Sequence, residues 1–175
     1  MNYATIKWYD IANGEGVRIS LFVSGCTHRC KNCFNEVAWD FSYGTPFDGE
    51  IEEKILKELD NDYIAGLSLL GGEPLEPQNQ EALYPFIKKV KELYPNKTIW
   101  CYTGCVFNEK KKLLTEKEKN TPFTKELLSL IDVLVDGPFI EELKDIRLKF
   151  RGSSNQRVID MPKTLAGGKI VLYLE

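Results

Sequence analysis

Cys26, Cys30 and Cys33 follow the apolar run Leu21-Phe22-Val23-Ser24-Gly25, with three residues between the first two cysteines and two between the last pair. Cubane iron-sulfur clusters usually take four thiolates, so a tight trio leaves one iron without a protein ligand and open to a small molecule. Structural zinc sites are instead closed by four ligands, commonly as two close pairs, and no fourth ligand of that kind stands nearby. Taken by itself the trio leaves three readings open. It holds an iron-sulfur cluster, it holds zinc with His28 or a distant cysteine as fourth ligand, or its members are ordinary half-buried thiols of a reducing compartment.

Other residues could join such chemistry. Gly71-Gly72-Glu73-Pro74 follows a short apolar run, Leu67 to Leu70; paired glycines there either admit close backbone approach to a ligand or punctuate a plain turn. Asp136 ends the run Val133 to Val135 and either lines a cavity, near a ligand carboxylate or a bound cation, or caps a turn. Arg18 and the arginines of the Arg151 to Arg157 segment carry donors suited to a carboxylate or a partner loop, with surface salt bridges as the default. His28 reads as a neighbour of the cysteines or a surface residue rather than a ligand. Cys101 and Cys105 read as a buried hydrophobe and a bystander, and Trp100 and Tyr102 as packing.

The residues around the trio extend it. Gly14-Glu15-Gly16-Val17-Arg18, then Phe22 and Gly25, then Asn35 after the third cysteine form one long pattern. It resembles the signature of the radical S-adenosylmethionine enzymes that install a glycyl radical on a partner. Gly71-Gly72-Glu73-Pro74, Trp100-Cys101-Tyr102-Thr103-Gly104, Val135-Asp136-Gly137-Pro138 and Arg151-Gly152-Ser153-Ser154-Asn155-Gln156-Arg157 continue the resemblance over nearly the whole chain. The resemblance implies a 4Fe-4S cluster on Cys26, Cys30 and Cys33, with S-adenosyl-L-methionine at the open iron. It implies adenine contact around Asn32, Cys33 and Phe34, and receipt of the methionine amine at Gly71, Gly72, Glu73 and Pro74, with the Glu73 charge near the ammonium. It also brings Asp136 to the cofactor cavity. The implied partner is the glycyl-radical subunit of an anaerobic ribonucleoside-triphosphate reductase, with an electron donor such as a flavodoxin. Two positions depart from the family: Asn32 stands where many relatives have an aromatic residue, and Glu15 where glycyl-radical activators often have proline. Another glycyl-radical enzyme such as pyruvate formate-lyase, or a small nucleobase precursor, is the alternative target. A zinc-binding, non-catalytic interaction module is the alternative of another class.

These residues need a frame. Val17 to Ser24, Leu67 to Leu70, Thr98 to Tyr102, Val133 to Val135, Arg157 to Ile159 and Ile170 to Leu174 read as strands. Helical periodicity places Ile51, Ile55, Leu56 and Leu59 on one face, and Leu83, Phe86, Ile87, Val90, Leu93 and Tyr94 on another, with Pro95 as a stop. Thr121 and Pro122 predict the cap of a third helix, with Leu127, Leu128 and Ile131 inside. Alternating strands and helices predict an α/β chain with a mostly parallel sheet. A full barrel of eight such units needs roughly 250 residues, and this chain has 175. A partial, open (β/α) barrel follows, radical-SAM-like by resemblance, as one domain over residues 1–175.

Composition sets outer bounds. With 43% hydrophobic and 28% charged residues the chain can bury a core and need not be disordered. A net charge of −3 argues against a generally basic nucleic-acid binder. Met1 to Trp8 lacks the basic start and apolar core of a signal peptide, and no stretch reaches the ~20 apolar residues of a membrane span. Five cysteines, an odd number, suit a reducing cytoplasm. The polar run Glu109 to Asn120 predicts a solvated helix or loop.

Overall fold

Seven residues in a row, Val17–Val23, form strand β2, and six of them are buried. That is the pattern of a strand covered on both faces. The structure, a computed structural model, describes residues 1–174. Beside β2 lie β1 (Asn2–Asp10) on one flank and, on the other, β4 (Ile64–Gly71), β5 (Thr98–Tyr102) and β8 (Val133–Asp136). β2, β4, β5 and β8 run parallel. The sheet continues outward antiparallel, through β9 (Arg157–Asp160) and β10 (Leu172–Leu174) on one side and β1 and β3 (Thr45–Pro46) on the other.

The eight strands stand in the order β10-β9-β8-β5-β4-β2-β1-β3, so the sheet is open. The mostly parallel expectation therefore holds for the central four strands, while the outer four pair antiparallel. An antiparallel neighbour needs only a short reversal, such as the turn from Ile11 to Gly16, whereas a parallel one needs a crossover. Helices supply those crossovers: α1 (Gly49–Leu59) before β4, α2 (Pro77–Leu93) before β5 and α3 (Thr124–Leu130) before β8.

Their apolar stripes bury Ile55, Leu56 and Leu59, then Leu83, Phe86, Ile87 and Val90, then Leu127 and Leu128 against Ile19, Leu21, Leu67, Leu69, Ile99 and Leu134 of the sheet. The opposite face carries a smaller cluster of Trp100, Val133, Val135 and Val158. Asp48 caps α1 by accepting the Ile51 N–H. α3 starts at Thr124, two residues after the predicted cap, and Thr121 accepts the Phe123 N–H just ahead of it. The sequence pattern did not mark β1, the two-residue β3, a small hairpin of β6 (Phe107–Asn108) and β7 (Leu113–Leu114), or a seven-residue helix, α4 (Met161–Gly167). None of the helices is long and apolar enough to cross a membrane, among the described residues.

Because β2, β4, β5 and β8 are parallel, their carboxyl ends share one edge. The cysteine loop, Gly71 to Pro74, Thr103-Gly104 and Gly137-Pro138 all leave from it, which is where α/β folds gather ligands.

Candidate functional site

Gly25 opens the cysteine loop with φ +103°, and a Cβ there would stand 2.3 Å from the Phe41 ring. Only glycine meets both demands. The Gly25 and Cys26 amides donate to the carbonyls of Ala38 (2.7 Å) and Trp39 (3.2 Å), which folds the far side of the loop back on its start. Across the edge, the Gly72 and Glu73 amides donate to the carbonyls of Val23 and Gly25, both at 2.8 Å. A Cβ on Gly72 would lie 2.6 Å from the Gly25 oxygen. The glycine pair thus serves as a rail on which the cysteine loop is seated.

All three cysteines are free and line one cavity of about 450 Å³, with Cys26 buried and Cys30 and Cys33 half-buried. Burial pushes the Cys26 thiol up to about 12, with Glu73 and Glu76 adding to the rise, and burial raises Cys30 as well. Cys26 and Cys30 are therefore held as thiols in the metal-free site, and a metal would have to displace their protons. Asn32 and Phe34 also line the cavity. Asn32 has φ +57°, a left-handed backbone that asparagine accepts with less strain than an aromatic residue. Phe34 is 86% exposed and stands at the rim.

The two acidic residues are placed differently. Glu73 is 1% exposed. Its Oε1 accepts from His28 Nε2 and the Gly104 N–H, each at 2.7 Å, and its Oε2 from the Leu75 N–H and Thr103 Oγ1, each at 2.8 Å. These four hydrogen bonds tie the cysteine loop to the ends of β4 and β5. Asp136 is 1% exposed and is not among the cavity-lining residues. Its oxygens take Arg157 Nε (2.9 Å), Arg157 Nη2 (2.6 Å) and the Phe107 N–H (2.8 Å). It ends its strand and anchors the hairpin. Gly71, Gly72 and Glu73 border the cavity, whereas Pro74 is buried behind them.

The hydrogen bond to Glu73 raises the pKa of His28, against the opposing effect of burial. Cys105 Sγ lies 3.8 Å from the same His28 nitrogen, closer to the site than a bystander would be. His28, Glu73 and Cys105 gather ligand atoms within 4.8 Å of one another; Glu73 holds His28 and Thr103, and Thr103 Oγ1 accepts the Cys105 N–H at 3.0 Å. Cys101 is fully buried in the core.

The Arg151 to Arg157 segment forms a wall. Gln156 donates to the Gly137 carbonyl (3.0 Å) and accepts from the Gly152 and Ser153 amides (2.9 and 3.1 Å), while Asn155 donates to the Pro138 carbonyl (2.8 Å). Arg151, Gly152 and Gln156 face the cavity. Arg18, 1% exposed, donates to Ser68, Thr98 and the carbonyls of Glu15 and Leu67. Ser68 in turn donates to the Asn13 carbonyl (2.6 Å), so this buried cation fixes the turn that brings Ala12 and Asn13 to the cavity.

Tyr102, Phe139 and Ile146 also line the cavity. Sequence gave no sign of the last two, which lie on an irregular loop, and assigned Tyr102 to packing alone. Residues 12–159 match a family described as a 4Fe-4S single cluster domain. Over 158 residues the chain is 45% identical to the anaerobic ribonucleoside-triphosphate reductase-activating protein of Haemophilus influenzae, covering 89% of this chain and 96% of that one. The chain belongs to that family of activating proteins. The Escherichia coli K12 member is 40% identical over 160 residues, covering 90% of this chain and 97% of its own. The member from Enterobacteria phage T4 is 38% identical over 158 residues, 90% and 93% of the two chains. The family match runs from Ala12 at the cavity edge through the cysteine loop to Ile159 in β9.

Proposed function

We propose that this protein activates an anaerobic ribonucleoside-triphosphate reductase by generating a glycyl radical on it, using S-adenosyl-L-methionine. The observation that carries this is the convergence of three free cysteines on one cavity at the carboxyl edge of parallel strands, in a chain of the activating-protein family. The donor set fits a 4Fe-4S cluster: Cys26, Cys30 and Cys33 supply three thiolates and leave one iron for the cofactor. A cavity of about 450 Å³ is within the usual range for a small-molecule ligand. Held by Cys26, Cys30 and Cys33, such a cluster would supply the electron for reductive cleavage of S-adenosyl-L-methionine, the chemistry that would remove a hydrogen atom from the partner's glycine.

The chain's residues do the rest. The Gly71-Gly72 backbone offers close approach to the methionine end of the cofactor, and Asn32, Cys33 and Phe34 border the adenine end. Asp136 acts through Arg157 and holds the wall, while Glu73, held by His28 and Thr103, borders the methionine end. Phe139, Phe150 and Ile146 add apolar surface to the cavity lining. The open sheet serves as a partial (β/α) barrel of the radical-SAM kind, and residues 1–175 as one activase domain. The protein works in the cytoplasm with a low-potential electron donor such as a flavodoxin.

Anaerobic reconstitution tests the site. The account predicts a brown protein with about four irons per chain; a colourless protein carrying a single zinc would overturn it in favour of a structural metal module.

A further inference from the structure

Sequence predicts a solvated segment over Glu109 to Asn120, but the structure buries its end. After the β6–β7 hairpin a 3-10 turn, Lys117–Lys119, turns inward. The Lys119 side chain is 8% exposed and that of Glu76 is 2% exposed. Lys119 Nζ donates to Glu76 Oε1 and to Thr27 Oγ1. Glu76 Oε2 accepts the Thr27 N–H at 2.8 Å. Thr27 lies between Cys26 and His28, so a lysine from a distant hairpin reaches the first turn of the cysteine loop.

The lysine is itself held. Its carbonyl accepts Gln80 Nε2 at 2.7 Å, and Gln80 Oε1 accepts the hydroxyls of Thr121 and Thr124. Upstream, Glu116 accepts the Val106 N–H with both oxygens, and downstream, Asn120 accepts the Leu114 N–H at 2.9 Å. Burial alone would lower the Lys119 pKa, but the hydrogen bond and charge of Glu76 raise it, so the ammonium stays charged.

We infer that Lys119 is a positioning residue for the cysteine loop: with Glu76 it fixes Thr27, and through Thr27 the backbone between Cys26 and Cys30. Without the ammonium, a buried carboxylate next to the loop would be left uncompensated. This deepens the proposed cluster site, but its first test needs no metal.

Hydrogen exchange on the metal-free protein reads the Thr27 amide directly. In Lys119→Met, exchange across residues 26–30 should rise about tenfold, the scale of one lost charge-assisted hydrogen bond. Lys119→Arg should return it toward the parent rate. Lys91→Met, which breaks the 2.8 Å pair with Asp132 elsewhere on the fold, should leave residues 26–30 unchanged and controls for general destabilisation. Parent-like exchange in Lys119→Met, or an equal rise in Lys91→Met, would overturn the inference. If Lys119→Met does not fold, Lys119→Met/Glu76→Gln removes both charges while keeping an acceptor for Thr27, and the same comparison applies. On iron-loaded protein, a chelator should strip Lys119→Met about tenfold faster than parent, following the same loss of loop order. A parent that holds no iron would instead sink the cluster assignment, leaving the exchange result to decide the role of Lys119.

Discussion

Glu73 sits at the cavity edge with both carboxylate oxygens hydrogen-bonded by protein donors. Sequence made its position legible, because Gly71-Gly72-Glu73-Pro74 follows a strand end, but not its partners. Those are Thr103, Gly104 and His28, which come together only when β4, β5 and the cysteine loop share an edge. Glu73→Gln keeps an acceptor toward some donors but turns an amide against others, so it should cost about 1–3 kcal/mol. Urea unfolding of the metal-free protein measures this, and an unchanged midpoint would contradict the scaffold role. The cysteines behave differently. Their spacing alone left a cluster, a zinc site and ordinary thiols open, and all three face one cavity. Cys30→Ser should abolish stable iron binding while shifting metal-free stability by no more than ~0.5 kcal/mol, as iron analysis and circular dichroism would show.

At the level of elements, the central strands and the three crossover helices were readable from apolar runs and helical periodicity. β1 was not. It is an edge-side strand with only Asp10 fully buried, and its polar, half-exposed residues give no continuous apolar run. Its end nevertheless matters, because Asp10 accepts from Ser20 (2.6 Å), the Ala12 N–H (2.9 Å) and Asn13 Nδ2 (2.7 Å) and so shapes the turn at the cavity edge. Burial pushes the Asp10 carboxyl up, but these three hydrogen bonds together bring it below its ordinary value. A lowered carboxyl pKa means stability that is complete above the unfolded value of about 3.9 and is lost as pH falls through the lower folded value. Parent should therefore exceed Asp10→Asn in melting temperature near pH 7, with the gap closing below about pH 4. A gap independent of pH would contradict the charge-based account. The cysteine loop makes its own demand on backbone. Gly25→Ala places a Cβ 2.3 Å from Phe41 at φ +103°, and should cost about 1–3 kcal/mol, measured by denaturant unfolding.

Across the whole molecule, the open α/β sheet brings segments from residue 12 to residue 156 around one cavity. That long-range assembly explains why motifs were visible in the sequence while Phe139, Ile146 and Lys119 were not: irregular loops carry no periodicity, and a buried ion pair leaves no local pattern. The central claim is that this assembly generates a radical on a partner's glycine. The direct measurement is to add S-adenosyl-L-methionine to the reduced, iron-loaded protein, with and without the anaerobic reductase, and assay 5'-deoxyadenosine alongside the electron paramagnetic resonance spectrum. The account predicts 5'-deoxyadenosine together with a glycyl radical on the reductase, both absent in Cys30→Ser. A fully loaded and reduced protein that leaves the cofactor intact in the presence of the reductase would contradict it.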